Sequence, residues 1–311
     1  MEKKMKVGII GAGNVGSATA FALILRGIAR EVILIDSNEK KAIAEALDIS
    51  HATTFAYASK VIAGTYTDLT CADVVIISAG ANQRPGETRI ALMERNVEIL
   101  KSIVSQIVQY APETIILVAS NPVDIMTYYT LKISGLPKSR VFGSGTILDT
   151  SRFRTLLGEH LGVSSKSIHA NVLGEHGDSE VLIWSNADAG TMDLRTLSVE
   201  LNREFDFEVK ATIDNNVRDA AYKIIEGKGA TFYGIAGGLS RICQAISTNE
   251  NAILTVSSLH EEIETVRDVC LSLPSIINKN GVEKVIYPKL TPEEHILLKA
   301  SAEKLKDYML F

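Results

Sequence analysis

Four side chains carry most of the chemistry this sequence offers. His176 sits in Gly174-Glu175-His176-Gly177-Asp178 directly after an apolar run, where flanking glycines let backbone and ligand come close. The chain has six histidines in 311 residues, so the placement of each is informative. Arg152 stands in a helical pattern that otherwise reads apolar (Ile147, Leu148, Phe153, Leu156, Leu157), and Asp149 lies three residues earlier on the same face. Arg89 follows a polar loop running from Gly80 to Glu87. An imidazole changes charge near neutral pH, and a guanidinium grips a carboxylate through two parallel N–H bonds. Such a set suits proton transfer on an anionic molecule. A lone histidine is more often structural than catalytic; the two arginines and Asp149 weigh against that reading.

A second constellation lies at the amino terminus. Gly11, Gly13 and Gly16 form G-x-G-x-x-G after the apolar run Val7 to Ile10, and the motif opens a helical pattern. Asp36 follows 20 residues after Gly16, at the end of a second apolar run. In a dinucleotide site the first glycine permits a tight turn, the second admits a pyrophosphate, and the third packs the helix on the strand. Asp36 would accept bonds from the adenosine ribose hydroxyls and repel a 2′-phosphate, which favours NAD over NADP; Lys40 and Lys41 nearby soften that preference. The competing reading is a plain glycine turn with Asp36 capping the next loop.

The elements that must position these residues alternate. Short apolar runs at Val7–Ile10, Val32–Ile35, Val61–Ala63, Val74–Ile77, Ile115–Val118 and Val141–Phe142 read as strands covered on both faces. Helical periodicity fills Asn14–Leu25, Lys40–His51, Arg89–Tyr110 and Pro122–Ile133. Repeated βα order predicts a parallel sheet with right-handed crossovers. Beyond about residue 145 the pattern lengthens. Helices are predicted over Asp149–Leu161, Val209–Glu226, Thr231–Ile246 and Pro292–Met309, with strands near Ile168–Leu173 and a strand-rich stretch from Ile253 to Val285. Two packed domains are expected, one over residues 1–145 with a mobile loop near 80–89 and one over 146–311.

Composition excludes several classes. With 32 Lys+Arg against 37 Asp+Glu the net charge is -5, and the longest basic cluster is Lys3, Lys4 and Lys6, so nucleic acid is a poor partner. Cys71, Cys243 and Cys270 are odd in number and lack a CxxC spacing, which argues against a disulfide framework or a zinc knuckle and fits a reducing cytoplasm. The apolar stretch Val7–Leu25 is broken by Asn14, Ser17 and Thr19 and is not read as a secretory signal. No run approaches 18 apolar residues, so no membrane partner is expected.

Five strings together resemble the lactate/malate dehydrogenase superfamily, on its bacterial L-lactate dehydrogenase side. They are residues 79–89 (Ala-Gly-Ala-Asn-Gln-Arg-Pro-Gly-Glu-Thr-Arg), 120–124 (Ser-Asn-Pro-Val-Asp), 148–154 (Leu-Asp-Thr-Ser-Arg-Phe-Arg), 174–178, and 229–234 (Gly-Ala-Thr-Phe-Tyr-Gly). Five strings in order are more specific than any one, and the likeness runs from the glycine motif to the last helix. The resemblance implies an α/β fold, a Rossmann doubly wound parallel sheet followed by an α+β substrate and catalytic domain. It implies NAD as cofactor and reversible reduction of pyruvate to L-lactate, with no metal.

Carried onto this chain, the resemblance makes His176 the proton donor and acceptor, Asp149 its orienting partner, and Arg89 the group that polarises the substrate carbonyl. Arg152 would clamp the substrate carboxylate, Asn121 would bond the substrate oxygen region, and Thr231 would line the pocket. Cofactor contacts are implied at Gly11, Gly13, Asn14, Val15, Gly16, Asp36, Lys41, Tyr66, Gly80, Ala81, Ser102, Ala119, Asn121 and Ser144. Arg154 and His169 match positions that in many bacterial relatives bind the activator fructose 1,6-bisphosphate between subunits, which implies a homo-oligomer, a tetramer or a ligand-dependent dimer–tetramer equilibrium, with Lys166 adding charge.

Gln83 discriminates among relatives. Malate dehydrogenases carry Arg at the corresponding place, pairing with the second carboxylate of oxaloacetate. A neutral amide leaves that carboxylate unpaired, so Gln83 favours pyruvate. A branched-chain 2-hydroxyacid dehydrogenase would want a longer or more apolar loop. An NAD-dependent glycosidase of related fold would want a Cys beside a His, and neither the Asn121 nor the His176 string has one. A non-catalytic NAD-binding protein would not need His176, Asp149, Arg152 and Arg89 together.

Overall fold

The computed structural model describes residues 5–80 and 89–309, with residues 89–91 described by backbone alone. Six parallel strands build the first half: β1 (Met5–Ile10), β2 (Ala29–Ile35), β3 (Lys60–Ala63), β4 (Val74–Ile77), β5 (Ile115–Val118) and β6 (Val141–Gly143). They lie in the order β3-β2-β1-β4-β5-β6. Helices α1 (Asn14–Leu25), α2 (Glu39–Ala52), α3 (Arg89–Tyr110) and α4 (Val123–Ser134) lie between them in the chain. The order reverses between β1 and β4, which is the doubly wound arrangement, and a crevice opens there at the carboxyl ends of the strands.

The unbroken apolar runs follow from burial on both faces. Val7, Ile9, Val32, Leu34, Val74, Ile76, Ile115 and Leu117 join one core cluster, while Ile10, Ile33, Ile35, Val75, Ile77, Ile116 and Val118 join another. Successive residues of each strand point to opposite faces, and helices cover both.

The second half contains α5 (Ile147–Leu161), β7 (Ile168–Leu173), β8 (Val181–Ala189), β9 (Met192–Asp193), α6 (Leu194–Glu200), α7 (Phe207–Lys228), α8 (Tyr233–Ser247), β10 (Ala252–Ile263), β11 (Val266–Asn278), β12 (Gly281–Val285) and α9 (Pro292–Lys306). Strands β7 to β9 form an antiparallel sheet, and Phe153, Leu157 and Leu161 of α5 share a core with its Ile168, Ala170, Val172 and Leu182. The strand-rich stretch has a different destination. β10 pairs antiparallel with β6 at Ser257 and Gly143, so β10, β11 and β12 extend the first sheet to nine strands. The second half thereby completes the sheet that the first half begins.

Several boundaries depart from periodicity. Helix α8 starts at Tyr233 and leaves Thr231 in the preceding turn, α5 starts two residues early at Ile147, and α9 stops at Lys306 short of Met309. No element is predicted between Leu173 and Val209, yet β8, β9 and α6 occupy it. The apolar run Val181–Trp184 meets Ser185 and Asn186, which hide a strand from a short window. Among the described residues no helix is long and apolar enough to cross a membrane.

One buried carboxylate fixes β8 against α9. Glu294 accepts from the Trp184 and Ser185 amides at 3.1 Å each, the Ser185 hydroxyl at 2.6 Å and the Thr291 amide at 2.9 Å, while the Glu294 amide donates to Thr291 Oγ1 at 3.2 Å. Thr291→Ala removes one capping bond and is expected to cost about 1 kcal/mol. Glu294→Ala orphans several buried donors and is expected to cost about 3 kcal/mol. Denaturant midpoints falling in that order check the assignment, and equal midpoints refute it.

Candidate active site

The cluster around His176 is assembled from one helix turn and one loop. Asp149 and Arg152 occupy the first turns of α5 three residues apart, and His176 lies in the loop between β7 and β8. Asp149 is buried, and its two oxygens are divided. Oδ1 accepts from Arg152 Nη1 at 2.9 Å, and Oδ2 meets His176 Nδ1 at 2.5 Å. The ring's Nδ1 is thereby engaged, and Nε2 is left as the nitrogen for a reacting atom. Arg152 keeps a side-chain exposure of 14% and His176 one of 25%, enough for a small molecule to reach both.

Electrostatics follows from this contact. Burial lowers the proton affinity of His176, but the Asp149 charge and hydrogen bond, helped by Asp124 and Glu180, override it and raise its pKa to about 9. Asp149 is pushed the other way. Burial favours its neutral form, yet His176 and Arg152 hold the carboxyl below its usual range. The pair is an imidazolium and a carboxylate.

Asp124 and Glu180 have no role in the sequence expectations. Asp124, buried in α4, accepts the His176 backbone amide at 2.8 Å and so fixes the loop that carries the ring; burial pushes its pKa up to about 6. Glu180 is buried at the start of β8. Asp124 is detectable in the sequence as a charge set in the apolar string Val123 to Met126, whereas Glu180 merely precedes the apolar run Val181 to Trp184.

Several of the residues expected at the cofactor meet along one edge. The amides of Gly11, Ser78, Ala119 and Ser144 bond to the carbonyls of Ile35, Ile10, Ile77 and Val118, so the carboxyl ends of β2, β1, β4, β5 and β6 stand side by side. Gly11 has φ +106°, and a Cβ there would lie 2.7 Å from the Ala79 amide nitrogen. A Cβ on Gly16 would strike the Gly11 carbonyl oxygen, whereas one on Gly13 would meet nothing within 4 Å. The open space at Gly13 is room for a ligand. Helix α1 begins at Asn14 without a side-chain cap, so its first N–H groups are offered to an anion. These features fit a dinucleotide pyrophosphate.

Asp36, at the end of β2, accepts from the Ala12 amide through Oδ2 at 2.8 Å and from the Asn38 amide through Oδ1 at 2.9 Å. It thus ties the glycine loop to β2 as well as presenting a carboxylate. Val15 lies half-buried in the first turn of α1, and Asn121 is exposed just after Ala119 and Ser120. Gly80 ends the described span after β4. Tyr66 is half-buried in a short 3-10 turn after β3, and burial raises its phenol pKa. Lys41 in α2 and Ser102 in α3 are exposed on helices and do not belong to the row of strand ends. Ala81, Gln83 and the side chain of Arg89 lie outside the described residues.

The remaining expected residues are placed as follows. Thr231 is half-buried in the turn between α7 and α8. Arg154 is not a free surface arginine: its Nε donates to the Ala170 carbonyl at 2.8 Å and Nη2 to Asn171 Oδ1 at 3.3 Å. It lines a cavity of about 350 Å³ with Lys166 and Arg241. His169 is exposed on β7 and is not among that cavity's walls.

Comparison with known proteins agrees with this geometry. Residues 5–143 match the family model for the lactate/malate dehydrogenase NAD binding domain, and residues 146–310 match that for the lactate/malate dehydrogenase alpha/beta C-terminal domain. The chain is 53% identical to the L-lactate dehydrogenase of Thermus aquaticus, over 97% of each chain. It is 48% identical to L-lactate dehydrogenase 1 of Clostridium acetobutylicum, over 99% of this chain and 98% of that one. The crystal structure of the minor L-lactate dehydrogenase of Enterococcus mundtii in its ligands-bound form superposes with a TM-score of 0.94 at 41% identity, covering 98% of both chains. The chain belongs to the lactate/malate dehydrogenase family and is an NAD-dependent oxidoreductase.

Proposed function

We propose that this enzyme is an L-lactate dehydrogenase that reversibly reduces pyruvate to L-lactate, with His176 giving the proton. The observation that carries the reading is the Asp149 carboxylate shared between His176 Nδ1 at 2.5 Å and Arg152 at 2.9 Å. The nicotinamide, when bound, supplies the hydride. His176 delivers the matching proton from Nε2 to the ketone oxygen and recovers it from the hydroxyl in the reverse direction. Asp149 orients the ring and stabilises the imidazolium. Arg152 pairs with the substrate carboxylate through the N–H groups that Asp149 does not use. Asn121 bonds the substrate oxygen region, Thr231 lines the pocket, and Arg89 polarises the carbonyl. Residues 1–145 serve as the cofactor domain and 146–311 as the substrate domain.

Fructose 1,6-bisphosphate modulation belongs to the same reading. Arg154 and Lys166, together at one cavity, support a polyanion site, and cationic walls brought together in a tetramer would repel until a phosphate neutralised them. Exposed Ile43 and Leu47 on α2 support self-association. A cytoplasmic location suits the free thiols Cys71, Cys243 and Cys270.

His176→Ala is expected to lower kcat for pyruvate by about 10³-fold while NADH still binds. In the wild type, kcat/KM for pyruvate requires the imidazolium, so it stays level at lower pH and falls tenfold per pH unit above about 9; lactate oxidation requires the neutral ring, so it rises as pH approaches about 9 and levels off above it. Activity surviving the substitution refutes the acid role. Gln83→Arg is expected to move the oxaloacetate to pyruvate ratio of kcat/KM up by about a hundredfold, the worth of a charge-assisted pair of about 3 kcal/mol. An unchanged ratio sinks the specificity reading. Pyruvate saturation curves should sharpen and shift left with fructose 1,6-bisphosphate, and Arg154→Gln should erase the response. Identical wild-type curves remove the regulation.

A further inference from the structure

The cluster holds one carboxyl group that the mechanism above does not use. Glu180 is buried, and its Oε1 has no hydrogen-bond partner among the described residues. A Glu180 oxygen, a ring nitrogen of His176 and an Asp149 oxygen all lie within 4.8 Å of one another. A second ionised carboxylate at that range would face Asp149 across a poorly solvated gap, which is costly unless a cation is devoted to it.

Among the described residues no cation is devoted to it. The guanidinium of Arg218 in α7 gives Nη2 to the Glu180 backbone carbonyl at 2.8 Å, Nη1 to the Asp178 carbonyl at 2.8 Å and Nε to Asp214 Oδ2 at 2.8 Å. Arg152 of α5 is turned to Asp149. The charged groups around Glu180 are therefore Asp149 and Arg152 from α5, His176 and Asp178 from its own loop, and Arg218 and Asp214 from α7. Burial, then Asp149, raise the Glu180 pKa to about 8, against Arg218, His176 and Arg152.

A permanent second anion would also be chemically wrong. It would bind the imidazolium proton so tightly that His176 became a poor acid. We propose that Glu180 is a positioning residue that keeps its own proton at neutral pH, so that the imidazolium faces one carboxylate, and ionises only in alkaline solution, where its charge then holds the His176 proton in place. No proton passes from Glu180 to substrate: the ketone oxygen takes the His176 proton, and the Glu180 proton goes to solvent when pH rises.

The inference rests on His176 being the acid, and the test separates the two. The kcat/KM for pyruvate is followed against pH in the wild type, E180Q and E180D. The uncharged E180Q should bring the alkaline limb down by about one pH unit, and E180D, which restores the charge, should return it toward the wild-type position. A limb that stays put in E180Q overturns the proposal while leaving the acid role of His176 intact; turnover surviving His176→Ala overturns both. A carbon NMR titration of glutamate-labelled wild type, with the Glu180 carboxyl assigned by its absence from E180D, needs no turnover and no folded E180Q. A midpoint near 8 supports the proposal, and a midpoint near 4 overturns it.

Discussion

The shared carboxylate of Asp149 is the contact on which the rest of the site depends. A buried anion with one cationic partner would tolerate many geometries, but two partners on separate oxygens fix its plane. That plane in turn fixes the imidazole, because Nδ1 can meet Oδ2 only with the ring turned so that Nε2 leads away. Removing either partner leaves charge in a dry pocket, at a cost of about 3 kcal/mol or more. The arrangement is therefore self-enforcing. In the proposed mechanism Arg152 is at once a ligand group for substrate and a clamp on the residue that tunes the acid.

The fold serves this contact by joining two incompatible demands. The cofactor edge needs parallel strands whose carboxyl ends align, and the catalytic loop needs antiparallel strands that double back sharply. The chain solves this by adding β10, β11 and β12 to the sheet begun by β1 to β6, with the single β6–β10 pairing as the seam. Gly174 makes its own bridge to Ser272 of β11, with both amide bonds near 3.0 Å, so the residue that starts the His176 loop is stitched to the large sheet. Helix α5, starting two residues after Gly145, carries Asp149 across the same seam. His176, Asp149 and the strand ends are thus referred to one rigid sheet.

Much of this was legible in the sequence because it is local. Helix α1 and α3, strands β4, β5 and β7, and the i, i+3 spacing of Asp149 and Arg152 follow from periodicity alone. Pairing between distant strands is not local: nothing in Ile253 to Val285 announces that its partner is Gly143. Glu180 was missed for a related reason. A glutamate before an apolar strand is ordinary as a loop residue, and only the doubling back of the β7–β8 loop places it beside Asp149. Likewise Arg154 reads as a surface arginine on its helix, and the Ala170 and Asn171 partners that engage it belong to β7.

The charge of the site inverts that of the chain. The sequence carries five more acidic than basic groups, and three of its carboxyls, Asp124, Asp149 and Glu180, are buried around one imidazole. Counted as ionised, they would repel a 2-oxo acid. Burial prevents this by selecting protonation state. Glu180, near 8, is mostly neutral at pH 7, and only Asp149, which has two cationic partners, is held below its usual range. Arg152 and the His176 imidazolium then face Asp149, while the Asp124 carboxylate is engaged by the His176 backbone amide. The pocket attracts an anion although the protein as a whole is anionic, because desolvation has removed charge where it would obstruct and pairing has kept it where it works.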